Sequence, residues 1–216
     1  MTTSVNPKPL GDSAIILSLG TSQDKQLLAR VHLLARALSE LPMDDVEDIV
    51  PSYLGVTVFY DSLSVSYDDM KRRLTSAVES IGVSEGHHIE GREHRIPVRY
   101  DGEDLPGVAM RLGISTDEVV ETHLSQTYTV DLLGFVPGFA YLSELPTALQ
   151  LPRREQPRPR VSAGSVAIAG PYTGVYPLNT PGGWHLIGRT EVILFDPLRT
   201  PPALLSPGDS VRFVRA

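Results

Sequence analysis

The chain lacks cysteine altogether, and this absence excludes several classes of protein. Without cysteine there is no disulfide framework of a small secreted domain, no thiolate metal site and no thiol nucleophile. No apolar run approaches the roughly 18 residues of a membrane span, and the run at 14–17 is typical of what exists. The first ten residues have neither the basic region nor the apolar stretch of a signal peptide. The sequence therefore predicts a cytoplasmic protein with no membrane partner.

Basic charge and nucleotide-binding motifs are also scarce. The 26 acidic and 19 basic side chains give a formal net charge of -7, which argues against a nucleic-acid partner. Neither G-x-x-x-x-G-K-[ST] nor G-x-G-x-x-G occurs, so we expect that the isolated chain binds no ATP, dinucleotide or other cofactor. What is present is ordinary for a globular protein, because 41% of the 216 residues are hydrophobic.

The first ninety residues alternate short apolar runs with amphipathic helical patterns. Apolar residues at helical spacing predict one helix over 27–38 and another over 70–81. Extended segments are predicted at 14–17, 46–50, 54–60 and 87–90. The order strand, helix, strand, strand, helix, strand is typical of a ferredoxin-like α+β domain, in which two helices cover one face of an antiparallel sheet.

From Glu93 onward the pattern changes to many short strands. A strand at 95–100 precedes two short helices, and Ser115 and Glu118 have the spacing of a capping box at the start of the second. Short β-rich runs separated by Gly/Pro turns follow at 165–169, 184–187, 192–195 and 210–214. This pattern is typical of a β-barrel or sandwich. We place the boundary near 88–94, which gives domains 1–90 and 91–216.

Arginine, glycine and proline concentrate in the segment 134–189. It holds five arginines, at 153, 154, 158, 160 and 189, and two acidic residues, Glu144 and Glu155. A cationic, turn-rich segment in an acidic protein favours an anionic ligand such as a carboxylate or phosphate. The alternative is structural, since such turns also build a small barrel and at least one arginine could form an internal salt bridge.

Candidate residues for chemistry lie in and just before this segment. Phe135 and Phe139 are expected in the core or in a pocket wall. The turn at 163–165 resembles one in which backbone N–H groups face an oxyanion, but it lacks the G-x-S-x-G motif of a serine nucleophile. Trp184 follows two glycines, as a buried anchor or as a stacking surface.

The histidines offer one candidate of note. His123 lies on a helical face just before the Gly/Pro-rich segment, and it is either a hydrogen-bonded core group or a general acid/base. His87, His88 and His94 cluster at the proposed boundary without a carboxylate at metal-ligand spacing, so no metal site is predicted.

Three motifs carry a family resemblance: GFVPGFAYL (134–142), PRREQPRPRVSAGSVAIAG (152–170) and TGVYPLNTPGGWHLIGRT (173–190). Together they resemble the allophanate hydrolase subunit 1 family, whose members include the 5-oxoprolinase B subunit and the Kip-type sporulation kinase inhibitor. The dense match covers residues 120–197. The sequence departs from the family pattern at Ser162 and Glu191, where proline is usual, and at Tyr172, where glutamine is usual. The Tyr172 difference bears on substrate identity more than on fold.

The resemblance implies an architecture and a function. The second domain should be a cyclophilin-like β-barrel that follows the ferredoxin-like domain. The chain should be a non-autonomous subunit that joins a homologue of the family's C subunit, as a heterodimer or heterotetramer, and possibly an A subunit. Such a complex opens 5-oxoproline, a small carboxylate, to glutamate with ATP. The alternatives are an allophanate- or urea-processing subunit and a non-catalytic histidine-kinase inhibitor, and a prolyl isomerase ranks last.

Under the first hypothesis, the site residues divide into two groups. His123 and Arg160 are the expected catalytic residues. The expected substrate-binding residues supply positive charge, backbone donors or an apolar wall: Phe139, Arg153, Gly164, Ser165, Tyr176, Trp184 and Arg189.

Overall fold

The chain divides into two compact units, Met1–Ile89 and Glu90–Ala216, in a computed structural model that describes residues 5–22, 24–81 and 91–216. The boundary predicted near 88–94 begins within 82–90, a segment that lies outside the described residues. The strand predicted at 87–90 and the histidines at 87 and 88 lie there too.

Over its described residues, the first unit contains a four-stranded antiparallel sheet and two helices. Its elements are β1 (Asn6–Pro9), β2 (Ala14–Ser18), α1 (Lys25–Ser39), β3 (Val46–Pro51), β4 (Gly55–Tyr60) and α2 (Tyr67–Ile81). The strand order is β1-β2-β4-β3. Ile15 and Leu17 pair with Val58 and Val56, and these four side chains form one buried cluster with the apolar stripes of both helices. Both helices therefore pack on the same face of the sheet, as the sequence predicts.

The described residues differ from the prediction at the edge of this sheet. The predicted order begins with β2, but β1 precedes it and pairs with it from Asn6↔Ser18 to Pro9↔Ile15. Pro7 and Pro9 argue against a strand at this point in the sequence, because proline has no N–H to donate to the hydrogen bonds of a β-sheet. An edge strand tolerates proline, since one of its sides needs no partner.

The second unit is built on a seven-stranded sheet. Its elements are β5 (Glu93–Val98), α3 (Leu105–Leu112), α4 (Thr116–Leu124), β6 (Tyr128–Leu133), β7 (Ala140–Ser143), a 3₁₀ turn (Thr147–Leu149), β8 (Arg158–Val161), β9 (Ser165–Ala169), β10 (Tyr172–Val175), β11 (Thr180–Gly182), β12 (His185–Arg189) and β13 (Ser210–Arg215). The sheet order is β12-β9-β10-β7-β6-β13-β5, and β8 pairs with β11 in a separate ribbon. The capping box at Ser115 and Glu118 is present at the start of α4.

The two edges of the large sheet meet and nearly close it into a barrel. Just beyond β5, the N–H of Arg99 donates to the carbonyl of Arg189 at 2.9 Å, and the N–H of Arg189 donates back at 2.8 Å. Gly102 lies against the backbone of β12, where a Cβ would overlap Ile187. The prediction of a mixed α/β chain with a barrel-like sheet is confirmed. The strand predicted at 192–195 is wrong, because Phe195 forms only an isolated bridge with Ala203.

Both faces of the large sheet are covered. Along β9, Val166 and Ile168 enter one core cluster, whereas Ala167 and Ala169 enter a second cluster on the opposite face. The five residues of β9 are buried for this reason, and their run of small apolar side chains fits a strand with no solvent face.

Candidate functional site

A cavity of about 420 Å³ lies beside the seam of the barrel. It is lined by the loop after β5, the end of β8, the start of β9 and the end of β12, and its polar lining comprises Asp101, Glu103, Arg160, Ser162, Ser165 and Arg189. The structure thus brings together three of the predicted site residues, Arg160, Ser165 and Arg189. The other six do not line this cavity.

The two arginines of the cavity differ in their partners. Arg189 forms an ion pair with Asp101 at 2.7 Å, and the two side chains are 62% and 38% exposed. Arg160 is exposed and forms no ion pair with any residue in the described ranges. A ligand that entered the cavity would therefore meet one available guanidinium group and one that already holds a carboxylate.

Two more arginines are held by acidic residues from the loop that precedes α3. The carboxylate of Asp104 accepts hydrogen bonds from Arg154 at 2.9 Å, from Arg158 at 2.7 Å and from the N–H of Leu186 at 2.7 Å. Glu103 pairs with Nε of Arg158 at 2.7 Å. Burial opposes ionisation of Asp104, but the bonds from Arg158 and Leu186 outweigh it and lower its pKa.

These pairs correct the expectation of a strongly cationic segment. Arg154, Arg158 and Arg189 are each neutralised by an acidic residue that lies outside 134–189 in the sequence. The structural alternative, an internal salt bridge, holds for Arg154 and Arg158, and Arg153 is exposed away from the cavity.

The backbone N–H groups of the glycine turn between β8 and β9 donate hydrogen bonds to other residues of the chain. The N–H of Ala163 donates to Asn179 Oδ1 at 2.9 Å, that of Gly164 to the carbonyl of Tyr176 at 2.7 Å, and that of Ser165 to Ser162 at 3.2 Å. Gly164 has a φ of 83°, and a Cβ there would overlap the carbonyl oxygen of Thr190. The structure therefore leaves no free backbone donor at Gly164 or Ser165, although Ser165 itself lines the cavity.

His123 lies in the barrel core and not in the cavity. Its side chain is fully buried, with Nδ1 at 2.8 Å from the hydroxyl of Tyr100 and Nε2 at 2.8 Å from that of Thr173. The hydroxyl of Thr173 donates to the carbonyl of Ala167, so it accepts from Nε2–H, and Nδ1 accepts from Tyr100. Burial lowers the pKa of His123 to about 3, so the imidazole is neutral. This geometry is that of a hydrogen-bonded core group.

The predicted aromatic wall forms a cluster behind the glycine turn. Phe139, Tyr176 and Trp184 are buried and meet edge to face, with centroids of Phe139 and Trp184 5.3 Å apart. Tyr176 joins this cluster to the turn, because its N–H donates to the carbonyl of Ser165 at 2.9 Å. Phe135 packs edge to face on Phe139 at 5.5 Å but is 58% exposed at a φ of 70°, so it is not a core residue.

The acidic loop is the part of the site that the sequence prediction missed. Asp101, Glu103 and Asp104 stand within four residues, immediately before α3. The density of acidic residues in this loop could have been used for prediction, because an arginine-rich segment needs carboxylates from another segment as ion-pair partners. The signal does not say which carboxylates, since their distance in sequence is large.

Comparison with known proteins places the chain in a family. A family model described as the carboxyltransferase domain, subdomain C and D, matches residues 5–205. The chain belongs to this carboxyltransferase-domain family. It is 45% identical over 208 residues to the 5-oxoprolinase B subunit of Escherichia coli O157:H7, covering 95% of this chain and 93% of that protein. It is 39% identical over 227 residues to the 5-oxoprolinase B subunit of Bacillus subtilis strain 168, covering 100% and 94%. The family predicted from the three motifs is confirmed.

Solved structures share the fold of this carboxyltransferase-domain chain. The crystal structure of TTHA0988 superposes with a TM-score of 0.83 at 44% identity, and it covers 94% of this chain. The chain spans only 40% of that solved protein. The urea amidolyase of K. lactis superposes with a TM-score of 0.76 at 17% identity, covering 100% of this chain and 15% of that protein, which shows a common fold alone. In the described ranges, no helix is long and apolar enough to cross a membrane.

Proposed function

We propose that the chain is the B-type subunit of a 5-oxoprolinase, a complex that opens 5-oxoproline to glutamate. The observation that carries this proposal is the 39–45% identity to proteins named as B subunits of 5-oxoprolinase, over nearly the whole of both chains. Likeness over full length supports a common role as well as a common fold.

The cavity beside the barrel seam is the proposed substrate site. Its volume of about 420 Å³ suits a small molecule, and Arg160, which has no ion-pair partner within the described ranges, supplies a guanidinium group for a carboxylate. Ser165, which also lines the cavity, is a second polar residue of the site. A stable lactam needs its carbonyl polarised before water adds, and positive charge near a sheltered site contributes to that.

The proposed role as a subunit includes partner chains. The names of the relatives identify them as subunits, and we infer that this chain joins homologues of the C and A subunits in the cytoplasm. ATP is used by the assembled complex, and the isolated chain is inactive. The catalytic role predicted for His123 is not part of this proposal, because its imidazole is enclosed in the core and does not line the cavity.

The finer architecture belongs to the same proposal. We assign the first unit to the ferredoxin-like class, with β1 in the edge position that a final strand would take, and the second to the cyclophilin-like barrels. The strand order β1-β2-β4-β3 and the seam between Arg99 and Arg189 support this assignment.

Reconstitution tests the function. The chain is co-expressed with homologues of the C and A subunits, the complex is purified by size exclusion, and ATP-dependent glutamate release is followed. We expect activity only with all three chains. Arg160→Gln in the complex should lower kcat/KM at least about tenfold with unchanged thermal stability, because Arg160 has no ion-pair partner to lose among the described residues.

The matched control for that variant is Arg212→Gln, an exposed arginine of β13 that does not line the cavity. It should leave activity unchanged. Full activity of Arg160→Gln would remove the cavity from the mechanism, and absence of glutamate release from the full complex would overturn the function itself.

The likeness in fold to urea amidolyase supports a second candidate function, that of an allophanate- or urea-processing subunit. Substrate competition in the same complex separates the two. If allophanate supports turnover and 5-oxoproline neither reacts nor competes, the second candidate replaces the first.

A further inference from the structure

The charges that line the cavity are nearly balanced. Arg160 and Arg189 face it together with Asp101 and Glu103. Glu103 is engaged by Arg158, and Asp101 by Arg189. In the described part of the chain, Arg160 is thus the one cation of the cavity without an ion-pair partner.

A ligand carboxylate can compete with Asp101 for the guanidinium group of Arg189. The distance between the two charged groups is short, 2.7 Å, but both side chains are substantially exposed, and both residues line the cavity. Exposed ion pairs contribute little to stability, so this pair is not needed to hold the barrel. The backbone of Arg189 closes the seam by itself through its two bonds with Arg99.

We propose that Asp101 is a specificity-determining residue of the cavity, because its carboxylate occupies Arg189 and leaves one cation for the ligand. A ligand with one carboxylate binds at Arg160. A ligand with two carboxylates meets an occupied Arg189 and the negative charge of Asp101, and it binds less well than the two arginines would allow.

This inference rests on the proposed function and deepens it. Hydrolysis adds water across the amide bond of the lactam, so that the carbonyl carbon becomes a second carboxylate and the ring nitrogen becomes an ammonium group. The substrate carries one carboxylate and the product two. Asp101 thereby favours the lactam over its ring-opened product and promotes release of that product.

Titration calorimetry on the full chain tests the inference with two probes, 5-oxoproline as the monocarboxylate and glutarate as the dicarboxylate. Asp101→Asn should raise the affinity for glutarate about fivefold, the size expected when an exposed ion pair no longer has to be broken. The affinity for 5-oxoproline should change less than about twofold, since its carboxylate binds at Arg160 in both proteins. The double variant Asp101→Asn/Arg189→Gln should return to the wild-type affinity for glutarate, because the gain acts through Arg189.

Glu121→Gln is the matched control, since Glu121 and Arg215 form a similarly exposed pair at 2.6 Å away from the cavity. It should alter neither affinity. An equal gain for both probes, no gain for glutarate, or no binding of either probe to the full chain would each overturn the inference. The proposed function is judged separately, by glutamate release from the complex.

Discussion

The imidazole of His123 is held between the hydroxyl groups of Tyr100 and Thr173, in a core where both ring nitrogens are already used. The rings of Tyr128 and Phe213 lie within 5.3 and 4.7 Å of its centroid. Protonation of Nδ1 would require an acceptor for the new N–H, and the hydroxyl of Tyr100 would then have to stop donating to Nδ1. At the scale of the residue, burial explains why this histidine stabilises the barrel in its neutral form.

This neutrality predicts a pH dependence of stability. The unfolded state takes up a proton near pH 6.5, whereas the folded state resists it down to about pH 3. The contribution of His123 is therefore complete above pH 6.5, and it falls by up to about 1.4 kcal/mol per pH unit below that. In His123→Gln, the free energy of unfolding, measured by urea titration between pH 6.5 and 5, should be lower and less steeply dependent on pH. An identical slope in both proteins would contradict the prediction.

At the scale of elements, the loop after β5 ties distant parts of the barrel together. Its backbone reaches β12, since the N–H of Asp104 donates to the carbonyl of Leu186 at 3.0 Å. Its side chains reach the arginines at and before β8. One short loop thus positions both the extended arginine segment and one wall of the cavity.

Asp104→Asn should show how much this connection contributes. Arg154 loses its carboxylate and Arg158 keeps only that of Glu103, so the free energy of unfolding at pH 7 should fall by about 2–4 kcal/mol. Because the pKa of Asp104 is lowered on folding from 3.8, its contribution is complete above that pH and is lost as pH falls through the folded-state value. The difference between variant and wild type in chemical denaturation should therefore shrink below pH 3.8.

The control for Asp104→Asn is Glu40→Gln, which breaks the exposed pair with Arg36 in α1. It should leave the unfolding midpoint where it is. If both variants behave alike, the loop is not the connection that the geometry indicates.

At the scale of the whole molecule, each unit has its own hydrophobic core. Among the described residues, the clusters of the second unit consist of residues from Ile96 to Phe213, and the ion pairs of the barrel seam lie within that unit too. Its first strand, β5, pairs in parallel with β13, which also pairs with β6.

We therefore expect residues 91–216 to fold alone. The isolated fragment should give a β-rich circular dichroism spectrum and one cooperative thermal transition. A fragment that stops at residue 209 lacks β13, so β5 has no partner, and it should not fold. A broad, non-cooperative transition in the longer fragment would contradict this expectation.

Patterns within a few residues of sequence determined several secondary-structure elements of this protein and its family. The apolar stripes fixed both helices of the first unit, the capping box fixed the start of α4, and the run at 165–169 marked a buried strand. The three motifs determined the family. The sequence did not predict the edge strand β1, because prolines are typical of a break in regular structure.

Only the tertiary structure decided which charges meet. Arg154, Arg158 and Arg189 find their carboxylates 50, 54 and 88 residues away in the sequence. Periodicity reports on neighbours within a turn or a strand, whereas these partners are set by the register of β12 against the loop after β5. The same long-range pairing placed His123 in the core and Arg160 at the cavity.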